Sequence, residues 1–305
     1  MRLTRLQRIS ELFAKYQQKS KGKESLLSLV DDVEMAERVY NSNAIENSTL
    51  SLPETEKILL QLEISRHISL REVFEARNLA QVYGYIKKTA PQQPLTLNLV
   101  LLLHKMLLTG IGDEVAGRFR RAGEMVRVGN HIGLPPEFVN ARIQEILIRY
   151  SSEITTPFIY RIAQFHTEFE SVHPFLDGNG RIGRVINNYL LIREGFPSII
   201  LRNKEKEAYY SALRSYDDSH NFKPMIRIIE LAILESLHKR LAYLNGLEII
   251  PLSQYAKNSQ SSFPALLNCA RRQTVPAFRE KGVWKIGKYS ISTTYSGTRS
   301  FQPSP

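Results

Sequence analysis

Between Leu26 and Gly246 the apolar residues recur three and four positions apart, the spacing of helices that bury one face, and this constrains the fold more than any other feature. Residues 69–88 place Leu70, Val73, Phe74, Leu79, Ala80 and Tyr83 on such a face, and Ser69 followed by Glu72 is a capping-box start. Residues 96–109, 137–151, 157–172, 182–194, 204–216 and 222–244 also read as helices, with Gly110, Gly195 near Pro197, and Gly246 at their ends. The break comes at 117–135. There Gly117, Gly123, Gly129 and Gly133 alternate with Val126, Arg127, Val128, His131 and Ile132, which predicts a short β-hairpin turning at Gly129-Asn130. The expected class is mainly α, a helical bundle carrying one hairpin.

After Gly246 the texture changes. Pro251-Leu252-Ser253 looks like a helix start, residues 263–272 suit a second helix, and strands near Val275–Phe278 and Val283–Ile286 flank a Glu280-Lys281-Gly282 turn. The tail from Ser290 is rich in Ser, Thr, Gly and Pro and is expected to fray. Charge follows a similar division. Of the net +11, residues 251–305 hold +7 and residues 1–23 hold +6, so the centre is slightly acidic at −2. Basic ends around a near-neutral centre hint at a polyanion partner, although solubility alone is the simpler account of them. The single cysteine, Cys269, excludes an intramolecular disulfide framework and argues against a zinc-thiolate cluster. No run approaches the roughly 20 apolar residues that span a bilayer, and the first residues have no continuous apolar core, so a soluble chain in a reducing, cytoplasmic compartment is expected.

Residues 173–184 read His-Pro-Phe-Leu-Asp-Gly-Asn-Gly-Arg-Ile-Gly-Arg. Gly178, Gly180 and Gly183 satisfy the spacing of a dinucleotide fingerprint, but an apolar helix precedes them where that fingerprint needs a strand. His166, Glu170 and His173 fall at helical spacing for a metal. Pro174 disfavours helix at His173, however, and the HExxH order is missing, so a zinc site is the weaker reading. Taken whole, the segment suits a helix–loop–helix built around an anion. Gly178-Asn179-Gly180 lets amides turn inward, and a helix beginning near Arg181 aims its positive end at the same point. Arg181 and Arg184 share a face and suit phosphate oxygens. Asp177 suits Mg²⁺ beside phosphates, and His173 is placed to accept a proton.

HPFLDGNGRIGR matches the Fic motif, HxFx(D/E)GNGRxxR, at every specified position, and over about residues 30–245 the chain resembles that family. The resemblance implies an all-helical fold and transfer of AMP from ATP to a hydroxyl of a target protein, with Mg²⁺. It makes His173 the general base and Asp177 the Mg²⁺ ligand. Gly178, Asn179 and Gly180 would cradle the α- and β-phosphates. Arg181 and Arg184 would hold the outer ones, with Ile182 and Gly183 between them in the same nucleotide-binding run, while Phe175 anchors the loop. The 117–133 hairpin resembles the family's target-aligning flap, with Val128, Gly129, Asn130 and His131 as its nucleotide-facing turn. Residues 207–213 resemble the helix beside the adenine, where Tyr209, Tyr210 and, further along, Asp217 would contact nucleotide, core packing being an equal reading of the tyrosines. Ser42-Asn43-Ala44-Ile45-Glu46-Asn47 matches the inhibitory signature (S/T)xxxE(G/N), which implies that Glu46, supported by Ser42, competes with the γ-phosphate for Arg184. A solvated Glu46 is the plain alternative.

The run from Leu252 to Ser290 resembles small excisionase or MerR-type winged-helix DNA-binding domains, with Arg271, Arg272 and Lys281 suited to phosphates; a basic protein-docking module is the competing reading. The expected organisation is a basic segment over 1–29, a Fic domain over 30–246 with its inhibitory helix near 35–47, a winged-helix-like domain over 247–295 and a flexible tail over 296–305. The expected function is a self-inhibited protein adenylyltransferase acting on a Ser, Thr or Tyr hydroxyl. De-AMPylation, transfer of another nucleotide, and an ATP-sensing DNA-binding regulator are the alternatives.

Overall fold

The computed structural model of the chain describes residues 3–64, 67–128 and 131–288. In chain order the helices are α1 (Arg5–Ser20), α2 (Glu24–Ile45), α3 (Leu52–Leu59), α4 (Leu70–Thr89) and α5 (Leu97–Leu108). The hairpin β1 (Arg127–Val128) and β2 (His131–Ile132) follows, then α6 (Pro136–Ser152), α7 (Phe158–Val172), α8 (Asn179–Arg193), α9 (Lys206–Ser219) and α10 (Lys223–Leu244). A last group comprises β3 (Glu248–Pro251), α11 (Leu252–Asn258), α12 (Phe263–Arg271), β4 (Ala277–Glu280) and β5 (Val283–Lys288). No helix among the described residues is long and apolar enough to cross a membrane. The mainly helical class expected from periodicity is the one observed.

The apolar faces converge. Val39, Leu79, Leu103, Ile143, Ile162, Phe169, Ile186 and Ile233 lie in one core to which helices α2, α4–α8 and α10 contribute. Each such side chain, taken fully out of water, stabilises the fold by about 1.5–3 kcal/mol. Helix α1 belongs to it as well: Ile9 is buried, and Phe13 stacks on Phe196 with centroids 3.7 Å apart. Helix α2 begins at Glu24, so it runs across the residue 29/30 boundary expected between the basic segment and the following domain. At Ser69 only half of the expected capping box forms. The Ser69 hydroxyl accepts from Glu72 N–H at 3.2 Å, but the Glu72 carboxylate instead accepts from Thr49 N–H at 2.8 Å, tying down the chain just beyond α2.

The last group has its own small core of Ile250, Leu252, Ala270, Ala277 and Ile286. Its sheet has the order β3-β5-β4, all antiparallel, with Ile250 opposite Ile286 and Phe278 opposite Lys285. Strand β3 was not expected, because four residues are too few to display a period. Buried charges join this group to the bundle. Glu235 of α10 accepts from Arg202 at 2.8 Å and from Arg279 of β4 at 2.6 Å. Arg202 also contacts Glu37 of α2, and Lys239 bridges Glu34 at 3.0 Å and Glu280 at 3.2 Å. Burial alone would raise the Glu235 carboxyl; Arg202 and Arg279 outweigh it and bring it down to about 2. The tail from Ser290 lies outside the described residues.

Candidate active site

Helix α7 ends at His173 because Pro174 follows, and a residue before proline is driven from the helical region. His173 takes a left-handed conformation (φ 51°), its N–H bonded to Phe169 O at 3.1 Å. Gly178, at φ 80°, then turns the chain so that α8 starts at Asn179, earlier than the start near Arg181 expected from periodicity. The first helical bond runs from Ile182 N–H to Gly178 O at 2.9 Å, so the N–H groups of Asn179, Gly180 and Arg181 precede it at the positive end of α8.

The loop between them is clamped. Asn179 Oδ1 accepts from Phe175 N–H and its Nδ2 donates to Phe175 O, both at 2.8 Å. Phe175 is fully buried and stacks on His104 at 3.6 Å. His104 Nδ1 accepts from Gly117 N–H at 2.9 Å, which leaves Nε2–H to donate to Asp177 O at 3.0 Å. Burial pushes that imidazole down to about 4, so the ring stays neutral. In the sequence His104 was only an interruption of an apolar run; its partners lie 13 and 73 residues away.

His173 Nδ1 lies 3.1 Å from Glu170 O, and a carbonyl only accepts, so Nδ1 carries the proton and Nε2 keeps its lone pair. Burial lowers the imidazole's proton affinity, which keeps it in the neutral, basic form. Arg120, also buried, donates to His173 O at 2.8 Å and to Leu134 O at 2.5 Å, joining His173 to the foot of the hairpin. Sequence reasoning missed Arg120, since nothing local marks an arginine whose acceptors are distant carbonyls. In the hairpin Val128 pairs with His131. His131 lies 3.1 Å from Asp217 of α9 and 2.8 Å from Ser171 O, fastening the flap to two helices.

Asp177 accepts from Arg181 at 2.8 Å and from Arg71 of α4 at 2.5 Å. Burial would raise this carboxyl, but the two guanidinium groups hold it below the usual range. Arg181 also meets Glu75 at 3.1 Å. Arg184 is buried and turns to α2: Nε donates to Ser42 Oγ at 3.0 Å, Nη2 to Ser42 O at 2.8 Å, and Nη2 to Glu46 Oε1 at 2.8 Å. Its Nη1 has no partner. A methyl group at Gly180 would stand 2.2 Å from Glu46 Oε1, so only glycine lets the loop approach this carboxylate. Glu170 lies against Gly183 with one oxygen unpartnered, and burial pushes its carboxyl up to about 8, with Arg184 opposing and Glu46 assisting.

A cleft of about 1110 Å³ opens before the loop. Glu46, Val128, His131, His173, Asp177, Gly178, Asn179, Gly180, Tyr209, Tyr210 and Asp217 line it. Tyr209 is buried and shares a 2.8 Å hydrogen bond with His166, while Tyr210 donates to Ile45 O at 2.9 Å. Arg181, Ile182, Gly183 and Arg184 are absent from the wall; the arginines sit buried behind it and Ile182 belongs to the core. Gly129 and Asn130 lie outside the described residues. His166 is spent on Tyr209, and among the described residues no three His, Cys, Asp or Glu side chains are grouped to hold a metal.

Helices α7 and α8 thus meet at a glycine turn that opens on the cleft, with His173 before the turn and Val128 and His131 of the hairpin in the same wall. Residues 94–191 match the model of the Fic/DOC family. Protein adenylyltransferase Fic of Nematostella vectensis is 29% identical over 221 residues, covering 71% of this chain and 50% of that protein. The chain thus spans about half the length of the curated relatives it matches. A Fic domain containing signaling protein of Bacteroides thetaiotaomicron superposes with a TM-score of 0.71 at 24% identity, covering 78% of this chain and 97% of the other. A Fic family protein of Desulfovibrio desulfuricans superposes with a TM-score of 0.66 at 19% identity over 98% of both chains, so the likeness of fold extends past the bundle to the C-terminal group.

Proposed function

We propose that the chain is a protein adenylyltransferase that moves AMP from ATP to a protein hydroxyl and holds itself in check through Glu46. The observation carrying the transfer is the free Nε2 of His173 at the mouth of a loop whose amides and helix dipole favour phosphate. In the proposed step a target hydroxyl attacks the α-phosphorus, its proton passes to His173 Nε2, and pyrophosphate departs. Asn179, Gly180 and Arg181 N–H groups stabilise the charge that builds on phosphate oxygens. Asp177, a lone carboxylate at the loop, fits Mg²⁺ of the kind held by one carboxylate together with substrate phosphates, and such an ion neutralises phosphate charge when bound. Arg71 must then release Asp177. The flap's short strands suit alignment of an extended target segment.

The inhibitory reading is supported by the three bonds that Arg184 makes to Ser42 and Glu46 with only Nη1 spare. Incubation with α-labelled ATP and Mg²⁺ tests the activity: label on the chain or on lysate proteins supports transfer, whereas ATP binding without label favours a sensor. Removal of AMP from a modified protein is the same chemistry reversed and is read by loss of label.

For residues 247–288 a nucleic-acid partner is a second reading, favoured by the exposure of Lys257, Arg271 and Arg272. Less charge is available there than the sequence suggested, because Arg279 meets Glu235, Lys285 meets Glu280 and Lys281 meets Glu56. Binding of duplex DNA by the full chain, with affinity falling steeply with salt, is the expected sign. Affinity indifferent to salt would leave protein docking.

A further inference from the structure

A second cavity, of about 670 Å³, lies between α9, the first half of α10 and the C-terminal group. Its volume is in the range of pockets for small organic ligands, roughly 300–1,000 Å³. Ile200, Ile228 and Leu231 give it apolar walls, and Trp284 adds an aromatic one on which Arg279 rests 4.6 Å from the ring centroid. The charge around it is unequal. The two carboxylates in the lining, Glu205 and Glu235, are both engaged by Arg279. Lys223, Arg227 and Arg271 are exposed at the cavity with no carboxylate partner among the described residues. An apolar, aromatic chamber with surplus cations is complementary to an anion that carries a ring or hydrocarbon body.

The placement adds a second point. Tyr209 lines this cavity and the nucleotide cleft alike. Ile45 lines it too; this is the last residue of α2, next to Glu46, and its carbonyl is held by Tyr210. The cavity therefore borders both the wall of the cleft and the end of the helix that binds Arg184.

We infer that this cavity is a second ligand site, for a small organic anion with a ring or apolar body, and that its occupancy is coupled to the Glu46–Arg184 contact. The coupling rests on the inhibitory reading above; the binding does not. Because binding linkage is reciprocal, loosening the end of α2 must alter the affinity of the second site if the two communicate.

Trp284 is the only tryptophan of the chain and lines the cavity, so it reports occupancy without any assay of activity. The probe is 8-anilinonaphthalene-1-sulfonate, an aromatic anion that accepts energy from tryptophan, titrated into the full chain. Saturable transfer from Trp284 at about one probe per chain is expected. Lys223→Glu with Arg227→Glu should weaken it about tenfold, or 1.4 kcal/mol. Ala208→Phe, which fills the cavity from an exposed helical position, should abolish it while Trp284 emission and helical content stay unchanged. Non-saturable transfer, or transfer equal in both variants, overturns the site. Displacement of the probe by a short DNA duplex with steep salt dependence would also overturn it, in favour of a nucleic-acid surface. Glu46→Gly should shift the probe's affinity by about threefold or more; an unchanged affinity overturns the coupling and leaves the site.

Discussion

At His173 one hydrogen bond decides the protonation of the ring. With Nδ1–H given to Glu170 O, the free lone pair is on Nε2, and burial keeps the ring neutral below the usual histidine range near 6.5. His173→Ala is expected to abolish label transfer and leave ATP binding largely intact, since in the proposed site backbone amides rather than the imidazole face the phosphates; residual transfer near the wild-type rate would remove the base. The pH profile should show two limbs. The rate falls on the acid side only once pH drops below the usual histidine value, where His173 finally binds a proton. On the alkaline side Glu170 loses its proton around 8 and becomes a second anion near Arg184, so the rate should fall there as well. Glu170→Gln should remove the alkaline limb alone. An unchanged limb in that variant would assign it to another group.

At the scale of the element, α2 and α8 are joined by Arg184. Glu46→Gly removes the carboxylate from that guanidinium and leaves its two bonds to Ser42, and a charge-assisted contact of roughly 2–3 kcal/mol corresponds to a gain of about 30- to 150-fold in the competent population. Self-labelling should rise by that order with little change in ATP affinity, and Arg184→Ala in the same background should cancel the gain. No acceleration in a folded Glu46→Gly variant would make Glu46 an ordinary helix end. Much of this level was legible in the sequence. Helices such as α4 and α10 show their apolar faces every third or fourth residue, and the motif from His173 to Arg184 is contiguous. What stayed hidden depends on distant partners. Arg71 meets Asp177 across 106 residues, Arg120 serves carbonyls on two other segments, and β3 exists only through its pairing with β5. Local sequence carries no trace of such contacts.

For the molecule as a whole, the buried ions around Glu235 and Glu34 tie the C-terminal group to α2 and α10. Removing one partner leaves an unpaired buried charge, so Glu235→Ala should cost about 3–5 kcal/mol, read as a lower denaturant midpoint. The pH dependence has a defined sign. Burial is outweighed by Arg240, Lys239 and Arg38 at Glu34, and by Arg202 and Arg279 at Glu235, so both carboxyls fall from about 4.5 to about 2 on folding. Their contribution is present above the unfolded value and is lost as pH falls towards 2. Melting temperature should therefore drop between pH 5 and pH 3, and less steeply in Glu235→Gln; parallel curves would show that the junction does not control acid stability.

The carboxylate that meets Arg184 belongs to the same chain, and this gives the contact the character of a tether. An inhibitor on a separate molecule is lost on dilution, whereas one carried in cis keeps a fixed effective concentration however few molecules share the solution. Specific activity of the resting protein should thus be flat across a dilution series. If Glu46 restrains the protein as proposed, activation requires residues 42–46 to move, at the end of a helix whose last carbonyl is already held by Tyr210.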